Sequence, residues 1–101
     1  MLKLGFGFMR LPLTNPDDYG QVDLEAVKAM TDIFMEQGGR YFDTAYVYHN
    51  HMSEVAVREC LVSRYPRNSF ELADKMPLWL LTAPEDHGRI FSEQLERCGV
   101  D

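Results

Sequence analysis

The feature that most constrains this chain is an alternation of strand-like and helix-like segments that repeats about every 30 residues, the size of one βαβ unit. Three apolar runs have strand character: Leu4–Leu11 (LGFGFMRL), Arg40–Ala45 (RYFDTA) and Ser69–Lys75 (SFELADK). The last two do not alternate cleanly, so the pattern predicts strands buried on both faces. A helical pattern follows each run. In DLEAVKAMTDIFMEQGG, Val27, Met30, Ile33 and Phe34 form one stripe, Asp23 is suited to the N-cap, and Gly38-Gly39 is a strong stop. In SEVAVRECLVSRY, Val57, Cys60 and Leu61 fall together, Ser53 is the expected cap, and Pro66 lies beyond the end. In TAPEDHGRIFSEQLERCG, Thr82 and Glu85 have capping-box spacing, Pro84 sits in the first turn, and Gly99 ends the helix. Its apolar stripe is Ile90, Phe91, Leu95 and Cys98, and the closing Val100-Asp101 reads as the start of a further strand.

The order is therefore β-α-β-α-β-α. Right-handed crossovers make such a sheet parallel. A closed (β/α)8 barrel typically takes ~250 residues, so 101 residues supply about the first three of its units. The expected fold class is α/β, a partial (β/α)8 TIM barrel with parallel strands. Residues 1–101 are read as the N-terminal part of a single barrel domain, with the rest of the barrel outside them.

Charge and cysteine usage narrow the function classes. The net charge of −6 argues against a nucleic-acid partner, which needs a basic surface. No apolar run approaches the ~20 residues of a membrane span, and Gly5, Gly7 and Arg10 interrupt any signal-peptide core. Cys60 and Cys98 follow no metal spacing and fall on apolar helix faces. They are expected to be buried free thiols, which fits a reducing cytoplasm.

In parallel α/β folds chemistry gathers beyond the C-terminal ends of the strands. There the sequence places Met9 and Arg10, then Asp43 with Tyr48 in the loop after it, then Lys75. A carboxylate, a phenol and an ammonium on one face make a proton-donating site. A phenol titrates near 10, too high for an efficient acid at neutral pH, and a nearby ammonium favours the phenolate. A carboxylate paired with the lysine keeps it charged. That set suits protonation of the oxyanion formed when hydride adds to a carbonyl.

The stretches GFGFMRLPL, YFDTAYVYHNHMSE and LADKMP, in this order and spacing, resemble the first third of an aldo-keto reductase. The phrase from Phe42 to Tyr48, with Glu54 shortly after, is the specific part, and QLERCGVD resembles the family's helix before its fourth strand. The resemblance implies NADP(H)-dependent reduction of a small-molecule carbonyl to an alcohol. It assigns Tyr48 as proton donor, Lys75 and Asp43 as its tuning partners, and Gly7, Phe8, Met9 and Asp43 as neighbours of the nicotinamide ribose. Phe8 and Asp74 stand where many members carry Thr, and His49 where Gly is common. GFGFMRLPL, AYVYHN and KMPLW are similar to a bacterial branch that often carries a C-terminal iron–sulfur segment. A cluster of that kind would belong only to a segment outside this chain.

Other readings accompany these residues. His49-Asn50-His51 with Glu54 offers zinc-type ligands, although a loop of this kind more often lines a substrate mouth, and the expected site carries no metal. Glu54 also reads as a first-turn carboxylate favoured by the helix dipole. Tyr46 reads as a packing residue, and Trp79 as either a buried anchor or an apolar wall of the pocket. Lys75 at a strand end also suits a Schiff-base lyase. A non-catalytic module that self-associates through its open sheet edges is the remaining alternative.

Overall fold

The strands are shorter than the apolar runs that contain them, and their pairing carries the fold. The computed structural model describes residues 3–101. Strands β1 (Gly5–Gly7), β2 (Tyr41–Asp43) and β3 (Glu71–Ala73) form one parallel sheet in the order β1-β2-β3. The register aligns Gly5, Tyr41 and Glu71, then Phe6, Phe42 and Leu72, then Gly7, Asp43 and Ala73. Single backbone bonds carry the pairing past the strand ends: Phe8 N–H to the Asp43 carbonyl (2.8 Å), Thr44 N–H to Ala73 (2.9 Å) and Tyr46 N–H to Lys75 (3.3 Å).

One sheet face packs against helices α1 (Leu24–Glu36), α2 (Ser53–Val57) and α3 (Asp86–Cys98), and α2 continues as a π-helical turn over Arg58–Val62. The core there holds Phe8, Val27, Phe34, Phe42, Val57, Cys60 and Leu61. Phe6, Phe34 and Phe42 meet at 5.2–5.8 Å between ring centroids, the tilted and edge-on geometry that aromatic rings prefer. The opposite face, carrying Gly5, Tyr41 and Glu71, is exposed. The expectation of strands buried on both faces therefore holds on the helix side only, because none of the described helices covers the other face.

The helix termini follow local chemistry, with two departures. Asp23 caps α1 by accepting from Ala26 N–H (3.1 Å), and Gly99 closes α3 at φ +77°. The capping box at Thr82 and Glu85 does not form. Asp86 instead reaches back to the N–H groups of Thr82 (2.8 Å) and Ala83 (3.0 Å), so α3 starts about one turn late. Those donors hold the Asp86 carboxyl down to about 2. Ser53 does not cap α2 either, since its hydroxyl is drawn into the sheet, as described below. Val100 and Asp101 form no strand, because the Val100 N–H closes the end of α3 on the Leu95 carbonyl (3.0 Å).

Candidate active site

Asp43 is the last residue of β2, and Lys75 lies two residues beyond β3. Their alternation with buried Phe42 and with Leu72 puts both on the exposed sheet face. Tyr48 returns to that face from the turn after β2. Lys75 Nζ donates to Asp43 Oδ1 (2.7 Å) and to Tyr48 Oη (2.7 Å), and lies 4.6 Å from the centre of the tyrosine ring. The three predicted proton-transfer residues are thus linked through Lys75, which contacts both of the others. Partial burial alone would pull the Lys75 pKa down. The hydrogen bonds to Asp43 and Tyr48 outweigh it, and the net displacement is upward, so the amine stays protonated. Because the lysine donates to the phenolic oxygen, the phenol's own proton is free to point outward.

A cavity of about 340 Å³ opens beside the pair, lined by Val47, Tyr48, Lys75, Met76, Leu78 and Trp79. Trp79 is 72% exposed on the short 3-10 turn Leu78–Leu80, which excludes the buried-anchor reading. Gly7 and Ala73 flank Asp43 in register, and a Cβ built on Gly7 meets nothing within 4 Å. This small-residue strip leaves room for a flat group over the sheet. Met9 is exposed, and its carbonyl accepts from the Tyr19 hydroxyl (2.6 Å). The Phe8 side chain lies in the core, with its N–H on Asp43 and its carbonyl on Ser53 Oγ (3.0 Å). Ser53 Oγ also bonds Thr44 Oγ1 (2.8 Å), so the end of β1 and the loop after β2 are tied by buried polar groups.

The histidines do not form a metal site. His49 is fully buried with both ring nitrogens engaged: Nε2 accepts from Leu11 N–H (2.9 Å) and Nδ1 donates to the Tyr19 carbonyl (2.8 Å). The same contacts keep it from lining a substrate mouth. His51 is exposed and bonds the Tyr46 carbonyl through Nδ1 (3.0 Å). His49, Asn50 and His51 have φ of 54°, 53° and 71°. Three consecutive left-handed residues other than glycine cost on the order of 1 kcal/mol each and persist only when the surroundings impose them. Tyr46 is the packing residue expected, with its hydroxyl on Glu93 (2.5 Å) and Arg97 over its ring.

Glu54 is the residue whose setting the sequence did not disclose. It lies in the first turn of α2 but is wholly buried, not a surface carboxylate on the helix dipole. Its neighbours are Arg97 (3.4 Å), Asp74 and Cys98, and donor atoms of the last two and of Glu54 lie within 4.8 Å of one another. Burial first, and the Asp74 carboxylate second, push the Glu54 pKa far above the usual carboxylate range. A protonated Glu54 gives its Oε2, otherwise buried without a partner, a bond to make toward Asp74. Burial and Asp74 also raise the Cys98 thiol, and burial pushes Cys60 up to about 11. Both cysteines are free and buried as expected. Two members of the Glu54, Asp74 and Cys98 trio therefore hold protons that a metal ion would have to displace. Asp74 belongs to the helix side of the sheet, where it accepts from Lys75 N–H (2.8 Å) and plays no part in holding the lysine's ammonium.

No helix among the described residues is long and apolar enough to cross a membrane. A model of the Aldo/keto reductase family matches residues 3–101. Norsolorinic acid reductase stcV of Emericella nidulans is 39% identical over 67 residues, covering 65% of this chain and 17% of that protein. The putative aryl-alcohol dehydrogenase AAD6 of Saccharomyces cerevisiae is 38% identical over 56 residues, 55% of this chain and 26% of its own length. Aldo-keto reductase ausK of Aspergillus calidoustus is 33% identical over 58 residues, 57% of this chain and 15% of that protein. The matches thus span 26% or less of the length of these relatives. With its parallel sheet and intervening helices matched to the family model across all the described residues, the chain belongs to the aldo/keto reductase family.

Proposed function

We propose that this chain carries the proton-donating part of an NADP(H)-dependent carbonyl reductase, with Tyr48 as the donor. The observation that carries the reading is the single ammonium of Lys75 bridging Asp43 and the Tyr48 oxygen at 2.7 Å each. Bound reduced nicotinamide supplies hydride to the carbonyl carbon. The exposed strip of Gly7, Asp43 and Ala73, with Met9 and the Phe8 backbone beyond it, is the surface we assign to the nicotinamide ribose. Tyr48 gives its proton to the carbonyl oxygen as negative charge grows there. Lys75 opposes the charge left on the phenolic oxygen, and Asp43 holds Lys75 in place. Trp79, Leu78 and Val47 present an apolar wall that excludes water from one side of the reacting carbonyl. Kinship with the family supports the choice of NADP(H). The buried free thiols support residence in a reducing cytoplasm.

Imine chemistry at Lys75 fits less well, because a nucleophilic amine must be neutral and this one is held protonated. Substitution separates the two mechanisms in the natural full-length protein. Tyr48→Phe should bind NADPH, followed by fluorescence, yet reduce a simple aromatic aldehyde roughly 100-fold more slowly or worse. Wild-type turnover by that variant, or borohydride trapping of a substrate adduct on Lys75, rules the proposal out.

A further inference from the structure

We infer that His49 is a positioning residue, a neutral clamp that fastens the loop bearing Tyr48 to the segment between β1 and α1. The inference rests on the proposed role of Tyr48 and extends it to a residue with no contact to the reacting atoms. Three observations on the fold converge on it.

The first is conformational. Tyr48 is followed at once by three left-handed residues, His49, Asn50 and His51, none of them glycine. A turn of this kind relaxes unless something outside it holds it. The second is the hold itself. The His49 ring is fully buried, stacks on Tyr19 at 4.1 Å, accepts from Leu11 N–H and donates to the Tyr19 carbonyl. Those two partners lie 38 and 30 residues away in the chain. Accepting at Nε2 while donating at Nδ1 is possible only for the neutral ring with its proton on Nδ1. The third is what the clamp joins. Tyr19 bonds the Met9 carbonyl, and Ser53 bonds the Phe8 carbonyl. The Phe8–Leu11 segment is thus tied to residues 44–53 directly at Leu11 and Phe8, and at Met9 by way of Tyr19, and it is the segment assigned above to the cofactor's side of the site. His49 therefore sets the distance between the proton donor and the cofactor-facing backbone, which rate depends on steeply.

The experiment compares His49→Leu, which fills space without hydrogen bonding, with His49→Gln, whose amide can both accept and donate. Rates in the natural full-length protein are expressed per NADPH-titrated site, so that any misfolded fraction drops out. His49→Leu should reduce an aromatic aldehyde roughly tenfold more slowly per site, with KM for the aldehyde little changed. His49→Gln should recover most of the loss. Independently of activity, ring nitrogen shifts in the wild-type protein should show the proton on Nδ1, and the Leu11 amide should exchange slowly with solvent. Wild-type turnover per site in His49→Leu, or a Gln variant as slow as the Leu variant, overturns the clamp, as does a proton on Nε2. Tyr48→Phe serves as the control. If it turns over normally the catalytic reading has failed; if it is inactive and His49→Leu is not impaired, only the positioning role has failed.

Discussion

Lys75 serves two partners at once, and substitutions can separate what each contributes. Lys75→Met removes the charge beside the Tyr48 oxygen while keeping most of the stem, and should slow carbonyl reduction by roughly 100-fold in the natural full-length protein. A cost in stability from stranding Asp43 would be large only in a dry site. The side chains of Lys75 and Asp43 are 51% and 34% exposed, so the ion pair contributes at most about 1 kcal/mol and the melting temperature should barely move. Steady-state rates and thermal melts of the same preparation check both halves. Equal losses in rate and stability would show that Lys75 holds the fold and does not serve the phenol. Asp43, Tyr48 and Lys75 were legible in the sequence because strand ends and titratable residue types can both be read from one chain. His49 and Glu54 were not. Each is a polar residue in a polar stretch, HNHMSE, and only tertiary contacts bury them. Leu11 and Tyr19 lie about 30 or more residues from His49, and Arg97 lies 43 from Glu54.

Between elements, the polar cluster under β3 makes stability depend on pH. Glu54, from α2, meets Asp74 after β3 and Arg97 and Cys98 of α3, and its carboxyl is pushed up to about 8 from an ordinary value of 4.5. Below about 4.5 the folded and unfolded chains both carry this proton. Between about 4.5 and 8 the unfolded chain releases it and the folded chain keeps it, so the folded state binds more protons and stability falls as pH rises. The slope from this group is on the order of 1 kcal/mol per pH unit, and it levels off above about 8. Urea titrations at several pH values should show the decline, and Glu54→Gln should flatten it. A wild-type profile that is flat or rises over that window would mean Glu54 is ionised in the fold. A second prediction concerns the end of α1. A Cβ at Gly39 would come within 2.3–2.5 Å of the Phe34 ring, which is itself packed in the core, so Gly39→Ala should destabilise by roughly 1–3 kcal/mol. Urea midpoints matching the wild type would show that the ring can move aside. The positions of the helices were legible from their caps and stops, but not all of their stripes. Val27, Phe34, Ile90 and Cys98 are buried as expected, whereas Met30, Ile33 and Phe91 are exposed. Only one side of each helix meets the three-stranded sheet, and Thr31 and Gln94 take the buried positions instead. The late start of α3 was not legible either, because Asp86 and Glu85 both satisfy the local chemistry of a cap, and the choice between them depends on how the preceding loop is aimed.

At the scale of the molecule, the consequence of a three-stranded parallel sheet is a bare face and two open edges. β1 and β3 each pair on one side only among the described residues, and Gly5, Tyr41 and Glu71 stand out from the uncovered face. Beyond β1 lies an apolar hollow lined by Leu4, Phe6, Met30, Ile33 and Phe34, and Leu4 and Ile33 are each 61% exposed. Unpaired strand edges template further pairing, and contiguous exposed apolar surface drives association. The 101-residue chain produced alone should therefore elute and scatter light as a species heavier than its 11.7 kDa, and should melt without a sharp transition. Ile33→Glu places a charge on the apolar hollow without touching the sheet, and should shift the population toward monomer without loss of helical signal. The same substitution distinguishes the two routes: if association persists unchanged, the strand edges drive it and not the hollow. A monodisperse monomer with a cooperative melt would mean that the packed helix face alone stabilises three βα units. In that event the contact of Lys75 with Asp43 and Tyr48 could be studied in the isolated chain, and Ile33→Glu, which lies on the opposite face, should leave that contact intact.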